Sequence, residues 1–365
     1  CGVPSGWVVS QVEPEETVFS GYHEARSAGY DSGYAAGAAS ADEALAAAQS
    51  DVAVPRTAEG YPDLQGVWDY GTITPLERPA EFAGQATLTD EDVAELEQRA
   101  ADRTIDRAPP PGSVGGYNQH WFDRGSTVVD GRRTSLIVEP ADGRLPAVQP
   151  GIVRYVDADR ANSEYAAAVA PVRLRTGGVV IPAGPEDRGL AERCLLGFNT
   201  GPPMISSAYN NNIQIFQNDE YVVIVNEMVH DVRRVVMDGR PHLSSNIRQW
   251  LGDSRGHWDG ETLVVETTNF TGHTASFNPG PTTWIGSGET LRLVERFTRT
   301  GDDSLLYEFL IDDSVTFTEP IRAVSTMSRN ENTLFEYACH EGNYGLQNVL
   351  RGAREAERRM NDDGS

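Results

Sequence analysis

Polar side chains interrupt an apolar stretch near the middle of the chain, and their types could carry acid–base chemistry. The stretch is VVIVNEMVHDV. Read as a single strand over 221–233, its alternation predicts two faces: Asn226, Met228 and His230 on one, and Glu227, Asp231 and Arg233 on the other. If one face lines a barrel, a Glu or His there can act as a general acid or base. Alternatively, Glu227 or Asp231 pairs with Arg233 in a purely structural network.

Further candidates surround this stretch and follow the last predicted strand. His340 and Glu341 come directly after Cys339, at a strand end where functional sites often lie, although capping of that corner explains them equally well. The predicted catalytic residues are His230, Asp231, Glu227, His257, His340 and Glu341, and the predicted binding residues are Asn226, Arg233, Trp258 and Tyr209.

No metal and no cofactor is predicted. The histidines lack tight ligand spacings such as HExxH, although His230, His242 and His257 could meet a carboxylate in a sheet. The chain has no P-loop, no GxGxxG after a strand and no CxxCH. All 30 basic residues are arginines, which excludes a Schiff-base lysine.

The charge balance disfavours nucleic acid, and no nucleic-acid partner is predicted. The 30 basic residues stand against 54 acidic ones, giving a formal net charge of −24. Such a surface repels phosphate backbones. The charge fits a soluble extracytoplasmic protein instead.

The three cysteines predict two different features. Cys194 and Cys339 form an even pair, which in an oxidising compartment predicts a disulfide, with two free thiols as the alternative. Cys1 opens the chain as in a mature bacterial lipoprotein, which predicts a membrane lipid attached there, unless position 1 is a fragment boundary. Gly2 lacks the Asp associated with inner-membrane retention, which favours the outer membrane, on its periplasmic face or at the cell surface.

Composition and periodicity predict the secondary-structure elements that position these residues. Residues 1–55 are rich in Gly, Ala, Ser and Tyr and are predicted to be a tether that binds other envelope proteins. Residues 56–365 are predicted to be a β-rich body. Thr89 predicts a capped helix, the alternation predicts strands over 262–270, 289–298, 305–311 and 333–339, and the charge pattern predicts a helix over 345–360. Recurring Asp-Gly turns favour an antiparallel, lipocalin-like barrel or sandwich with peripheral helices and long loops.

Two resemblances support export and a β-rich body. Gly66-Val67-Trp68 resembles the Gly-x-Trp of lipocalin first strands, although a Trp packed in any core explains it as well. The chain also resembles a family of secreted bacterial proteins without an established activity. The stretches that carry this second resemblance are PDLQGVW, RTSLIVEPADGR, GDSRGHWDGETLVVET and YACHEGNYG. It implies no residue roles.

Three functions are compatible with these observations. The first is a lipid-anchored accessory or structural subunit of a cell-envelope assembly, favoured by Cys1 and the tether. The second is a secreted acid–base enzyme acting on a carbohydrate or another polar small molecule. The third is a β-barrel that binds a small ligand.

Overall fold

The computed structural model describes residues 53–105, 119, 122–156, 172–179 and 181–363. Cys1 and residues 1–52 of the expected tether lie outside the described residues. The lipid anchor and the partner-binding segment therefore stay predictions.

The described residues form thirteen strands and two α-helices. The strands are Gly66–Asp69 (β1), Ile137–Glu139 (β2), Arg154–Val156 (β3), Asn212–Gln217 (β4), Tyr221–Asn226 (β5), Val232–Val236 (β6), Asp253–Asp259 (β7), Thr262–Thr268 (β8), Phe277–Gly280 (β9), Thr283–Ile285 (β10), Arg292–Arg299 (β11), Ser304–Asp312 (β12) and Ile321–Asn330 (β13). The helices are Asp90–Arg103 (α1) and Tyr344–Asp363 (α2).

Nine of these strands close into a barrel, which confirms the mainly β expectation and selects the barrel over the sandwich. Their order is β1-β4-β5-β6-β7-β8-β11-β12-β13, and β13 pairs back onto β1. A ring with an odd number of strands cannot alternate direction all the way round, so one neighbouring pair must be parallel. That pair is β6 and β7. Residues 237–252 connect them, consistent with the long crossover that parallel neighbours require.

Every second side chain of these strands points into the barrel interior, as the alternation in the sequence predicts. Leu293, Glu295 and Phe297 of β11 are fully buried, and so are Leu305 and Ile311 of β12. Each apolar side chain removed from water in this way contributes about 1.5–3 kcal/mol.

Trp68 and two arginines close one end of the barrel. Trp68 lies in β1, is fully buried, and donates through Nε1 to the Leu64 carbonyl at 2.9 Å. The guanidinium carbons of Arg299 and Arg329 lie 5.5 and 5.8 Å from its ring centroid. The Gly-x-Trp tripeptide thus begins the first strand, and its Trp is a core residue.

A three-stranded sheet covers the opposite end. Its order is β3-β10-β9, and β9 and β10 come from the connection between β8 and β11. Phe277 and Ile285 of this small sheet belong to the barrel core, and the Phe277 ring lies 6.4 Å from that of Phe309. Trp284 and Tyr155 build a second, smaller core above it. The insertion therefore packs on the barrel mouth.

The predicted capping box, C-terminal helix and disulfide are confirmed. Thr89 and Asp92 exchange side-chain and backbone hydrogen bonds at the start of α1. Cys194 and Cys339 are bonded, with their Cα atoms 5.8 Å apart. Within the described ranges, no helix combines the length and the apolarity needed to cross a membrane.

Two strand predictions are wrong. The stretch 221–233 is a hairpin of β5 and β6, because Val229 and His230 take positive φ angles of 60° and 44° and reverse the chain. Alternation alone does not reveal such a turn. Residues 333–339 form no strand. This segment is held instead by the disulfide at Cys339 and by the Phe335 N–H, which donates to Glu227 Oε1 at 3.1 Å.

Candidate functional site

The two acidic residues of the hairpin, Glu227 and Asp231, hold loops in place. Glu227 accepts hydrogen bonds from the Asn212 side chain at 2.7 Å and from the Phe335 N–H. Asp231 Oδ2 accepts from the Gly197 N–H at 2.9 Å and from Thr200 Oγ1 at 2.8 Å. Burial raises the pKa of Asp231, although these hydrogen bonds oppose the rise. Both carboxylates are thus occupied by loop contacts.

The other predicted catalytic residues are exposed. His230, His257, His340 and Glu341 all face solvent. Across the described residues, no hydrogen bond or ion pair involves the side chains of these four. His230 lines a surface pocket of about 260 Å³ together with Asn226 and Glu227, a pocket that His257, His340 and Glu341 do not line. The catalytic assignment of these residues stays a prediction.

The predicted binding residues are dispersed. Trp258 stacks on Tyr61 with ring centroids 5.0 Å apart. Tyr209 belongs to an aromatic group beside the disulfide, with its ring 5.2 Å from that of Phe198. Asn226 is buried, and its Nδ2 lies 3.5 Å from the Asp231 carbonyl oxygen. The structure does not gather these side chains into one site.

Arg233 lies inside the barrel, where its partner is Glu295. Its side chain is 5% exposed and that of Glu295 is 0% exposed. Both terminal nitrogens of Arg233 contact the carboxylate, Nη2 at 3.0 Å from Oε1. Tyr307 donates its hydroxyl to the same Oε1 at 2.7 Å, and the Met204 N–H donates to the Tyr307 oxygen at 3.1 Å. A structural network was the correct alternative for Arg233, but its acid is Glu295, neither Glu227 nor Asp231.

A narrow cavity lies where the small sheet covers the barrel mouth, and it is the strongest candidate site. Its volume is about 30 Å³. The polar side chains that line it include Arg175, Asn199 and Ser276. The apolar lining consists largely of Phe198, Pro202, Pro203, Ile205, Trp250, Phe270, Phe277 and Leu291.

Each of three polar side chains in this lining has a buried atom without a hydrogen-bond partner. The atoms are Arg175 Nη1, Asn199 Oδ1 and Ser276 Oγ. The three residues are only 7%, 3% and 2% exposed. Leaving such a group unpaired costs about 1–3 kcal/mol, so three of them around one cavity require an explanation.

The hydrogen bonds of Asn199 fix the orientation of its amide. Nδ2 donates to the carbonyl oxygens of Tyr209 and Asn210 and to Asn211 Oδ1, each at 3.1 Å. These three contacts are all acceptors, so the nitrogen must face them. Oδ1 is therefore the atom left without a partner.

Arg175 is charged, buried and without a close acid. Its Nη2 donates to the Gly201 carbonyl at 3.3 Å. No carboxylate among the described residues lies within ion-pair distance of it, although Asp231 is near enough to stabilise its charge. Burial lowers the pKa of Arg175 to about 10, which leaves it protonated at neutral pH. The cavity is therefore positively charged.

His242 belongs to an outer ion network rather than to a catalytic pair. Its Nδ1 lies 2.9 Å from Asp253 Oδ2, and its Nε2 lies 3.3 Å from Glu266 Oε1. Glu266 also contacts Arg292. Contact with Glu266, more than that with Asp253, raises the pKa of His242 against the effect of partial burial. Both ring nitrogens face carboxylates, Nδ1 through a hydrogen bond and Nε2 through an ion-pair contact without one.

Within the described ranges, no group of three or more His, Cys, Asp or Glu side chains is arranged to hold a metal ion. Comparisons with protein families, with curated proteins and with solved structures find no match to this chain. The resemblance to a secreted bacterial family stays a prediction. Function must therefore be inferred from the geometry itself.

Sequence reasoning missed the three cavity residues. Arg175 follows Val172-Arg173-Leu174, an alternation that reads as an ordinary half-solvated strand. Asn199 and Ser276 lie in Gly-, Pro- and Thr-containing segments that resemble loops. Nothing in their local pattern shows that the fold buries them beside one another.

Proposed function

We propose that this protein is a small-ligand-binding β-barrel whose site is the cavity under the three-stranded sheet. The observation that supports this function is the set of three buried polar side chains that line one cavity and each keep an unpartnered atom. Stable folds satisfy nearly all buried polar groups. A ligand with matching donors and acceptors would bond to these atoms.

The surrounding wall fits the same function. Aromatic and aliphatic side chains with a few convergent polar groups are typical of small-molecule sites. Three residues of the lining, Phe270, Phe277 and Leu291, also belong to the barrel core, so the wall rests on a rigid scaffold. The cavity admits a head group of a few atoms, and the rest of a ligand would lie in its opening.

The other two expected functions stay predictions. The features that favour a lipid-anchored envelope subunit, Cys1 and the tether, lie outside the described residues. The residues assigned to an acid–base enzyme are exposed or hold loops in place, as described above. The described part of the chain adds no argument for the envelope subunit, and for the enzyme it adds only the pocket that Asn226, Glu227 and His230 share.

Ligand-observed NMR with a fragment library tests the proposal. The wild-type protein should bind a subset of fragments that combine a ring with a polar group. Ile205→Trp places an indole at the half-buried edge of the cavity and should abolish that binding.

A matched control separates blockage from general damage. Ile247 is 48% exposed, and Ile247→Trp adds the same side chain elsewhere on the surface. That variant should bind as the wild type does. The proposal is wrong if no fragment binds the wild type, or if Ile205→Trp leaves binding unchanged.

A further inference from the structure

The charge of the cavity restricts what it can bind. Arg175 is the one charged side chain in the described lining. The carboxylate of Asp231 stabilises the charge of Arg175 from a distance, and its Oδ2 already accepts hydrogen bonds from the Gly197 N–H and from Thr200 Oγ1. A buried guanidinium without a close counter-ion disfavours a cationic ligand and favours an anionic one.

The hydrogen-bonding capacity of the three unpartnered atoms restricts the ligand further. Arg175 Nη1 can only donate, and Ser276 Oγ can donate or accept. A carboxylate offers acceptors to both. Asn199 Oδ1 can only accept, so it requires a donor that a bare carboxylate does not have. One ligand that satisfies all three atoms needs an acid group and a hydroxyl or N–H group.

The wall indicates the nature of the remainder. Trp250, Phe198 and Phe270 present rings to the cavity, and Ile205 and Leu291 add aliphatic surface. Flat or aliphatic carbon groups pack well on such a surface. Because the cavity is only about 30 Å³, the acid group occupies it and the carbon body extends into the opening.

Resting on the proposed binding function, we infer that the ligand is a small organic acid with an apolar body and a hydrogen-bond donor close to its carboxylate. The carboxylate pairs with Arg175 and Ser276. The donor binds Asn199 Oδ1. Arg175 is then the residue that selects acids over neutral analogues of the same shape.

Three matched probes test this ligand class by isothermal titration calorimetry. Mandelate carries a phenyl ring, a hydroxyl and a carboxylate. Phenylacetate lacks the hydroxyl, and 1-phenyl-1,2-ethanediol replaces the carboxylate with a neutral CH₂OH group. Mandelate should bind about tenfold or more tightly than the diol and severalfold more tightly than phenylacetate, since a charged hydrogen bond contributes more than a neutral one.

Three variants connect these differences to the residues. Arg175→Met should remove the preference for mandelate over the diol, and Arg175→Lys should restore part of it because it keeps the charge. Ser276→Ala should weaken the binding of mandelate and of phenylacetate by a similar severalfold factor. Near-UV circular dichroism of each variant checks that the fold persists.

The outcomes distinguish the ligand class from the binding function. Equal affinity for mandelate and the diol, or an Arg175→Met variant that keeps the preference, overturns the acid class while fragment binding blocked by Ile205→Trp would still support a binding barrel. Failure of all three probes when other fragments bind overturns the acid class in the same way. If no fragment binds at all, both proposals fail together.

Discussion

Two buried arginines at the same end of the barrel have opposite environments. Arg233 points into the interior, where Glu295 and Tyr307 complete a network with the Met204 backbone. Arg175 lines the covered mouth and contacts one carbonyl, with Nη1 left unpartnered. Both are nearly inaccessible to water. The difference agrees with the proposed function, in which one arginine stabilises the fold and the other pairs with a ligand.

The Met204 backbone connects the two regions. Met204 follows directly after Gly201, Pro202 and Pro203, which line the cavity, and its N–H donates to Tyr307 in the interior network. The Arg233–Glu295–Tyr307 network thus anchors the segment that borders the cavity, where three polar atoms lack partners. This arrangement suits a rigid scaffold that holds a binding site in place.

Removing each arginine in turn gives the largest expected difference between the two regions. Arg233→Met leaves Glu295 as an unpaired buried acid and should lower the free energy of unfolding by about 3–5 kcal/mol. Arg175→Met removes a charge that has no ion-pair partner, so the free energy of unfolding should change by about 1 kcal/mol or less. Urea unfolding followed by tryptophan fluorescence measures both.

A double variant is the control for this comparison. Arg233→Met combined with Glu295→Met removes both charges and should recover most of the loss. Equal destabilisation by the two single arginine variants would contradict the contrast between the regions.

Reducing the disulfide should affect the mouth more than the interior. Cys194 lies five residues before Asn199, so the bond to Cys339 holds the segment that carries a cavity residue. The bond joins positions separated by 145 residues. Its loss should lower stability by about 2–4 kcal/mol, below the roughly 5 kcal/mol of the chain-entropy model.

Thermal unfolding with and without reductant measures this effect, and the melting temperature should fall by several degrees. Cys194→Ala combined with Cys339→Ala serves as the control, because reductant should leave its melting temperature unchanged. An unchanged melting temperature of the wild type on reduction would contradict the prediction.

The outer ion network around His242 should give the smallest effect, and its sign depends on pH. The folded-state pKa of His242 is raised above 6.5, so its stabilisation is complete below that pH and disappears as pH rises through the folded value. Burial alone would raise the pKa of Glu266, but His242 and Arg292 outweigh it and lower the pKa from 4.5 to about 2. Its stabilisation is complete above pH 4.5 and disappears towards pH 2.

His242→Gln should therefore destabilise the protein most near pH 5.5, by about 1 kcal/mol or less, and have less effect near pH 8.5. Urea unfolding at the two pH values measures the change. His257→Gln, which makes the same replacement at an exposed histidine, is the matched control for the substitution itself. A destabilisation of equal size at both pH values would rule out the proposed linkage.

The barrel was largely predictable because the local alternation of apolar and polar residues predicts its strands. The alternation that buries Leu293, Glu295 and Phe297 is visible in the sequence, since a strand exposes alternate residues to opposite sides. The same reasoning failed over 221–233, where two left-handed residues at Val229 and His230 turn the chain back. The β-branched Val229 disfavours that conformation, and a single histidine, although its type is enriched there, is too weak a signal to predict the turn.

The candidate site was not predictable for a different reason. The sequence drew attention to His230 and Asp231 because polar residues within an apolar run are conspicuous. The structure exposes the first and engages the second in loop contacts. Arg175, Asn199 and Ser276 come from three separate segments and meet only when the small sheet packs on the barrel mouth.

The sequence by itself determined the mainly β class, the capped helix at Thr89 and the Cys194–Cys339 pair, since each depends on local periodicity, local hydrogen bonds or the count of cysteines. Only the tertiary structure decided that Arg233 meets Glu295 and that Arg175 meets no acid among the described residues. Both are arginines in alternating β-type sequence. What separates them is which distant segment the fold brings against each guanidinium, and that is a property of packing over long chain separations.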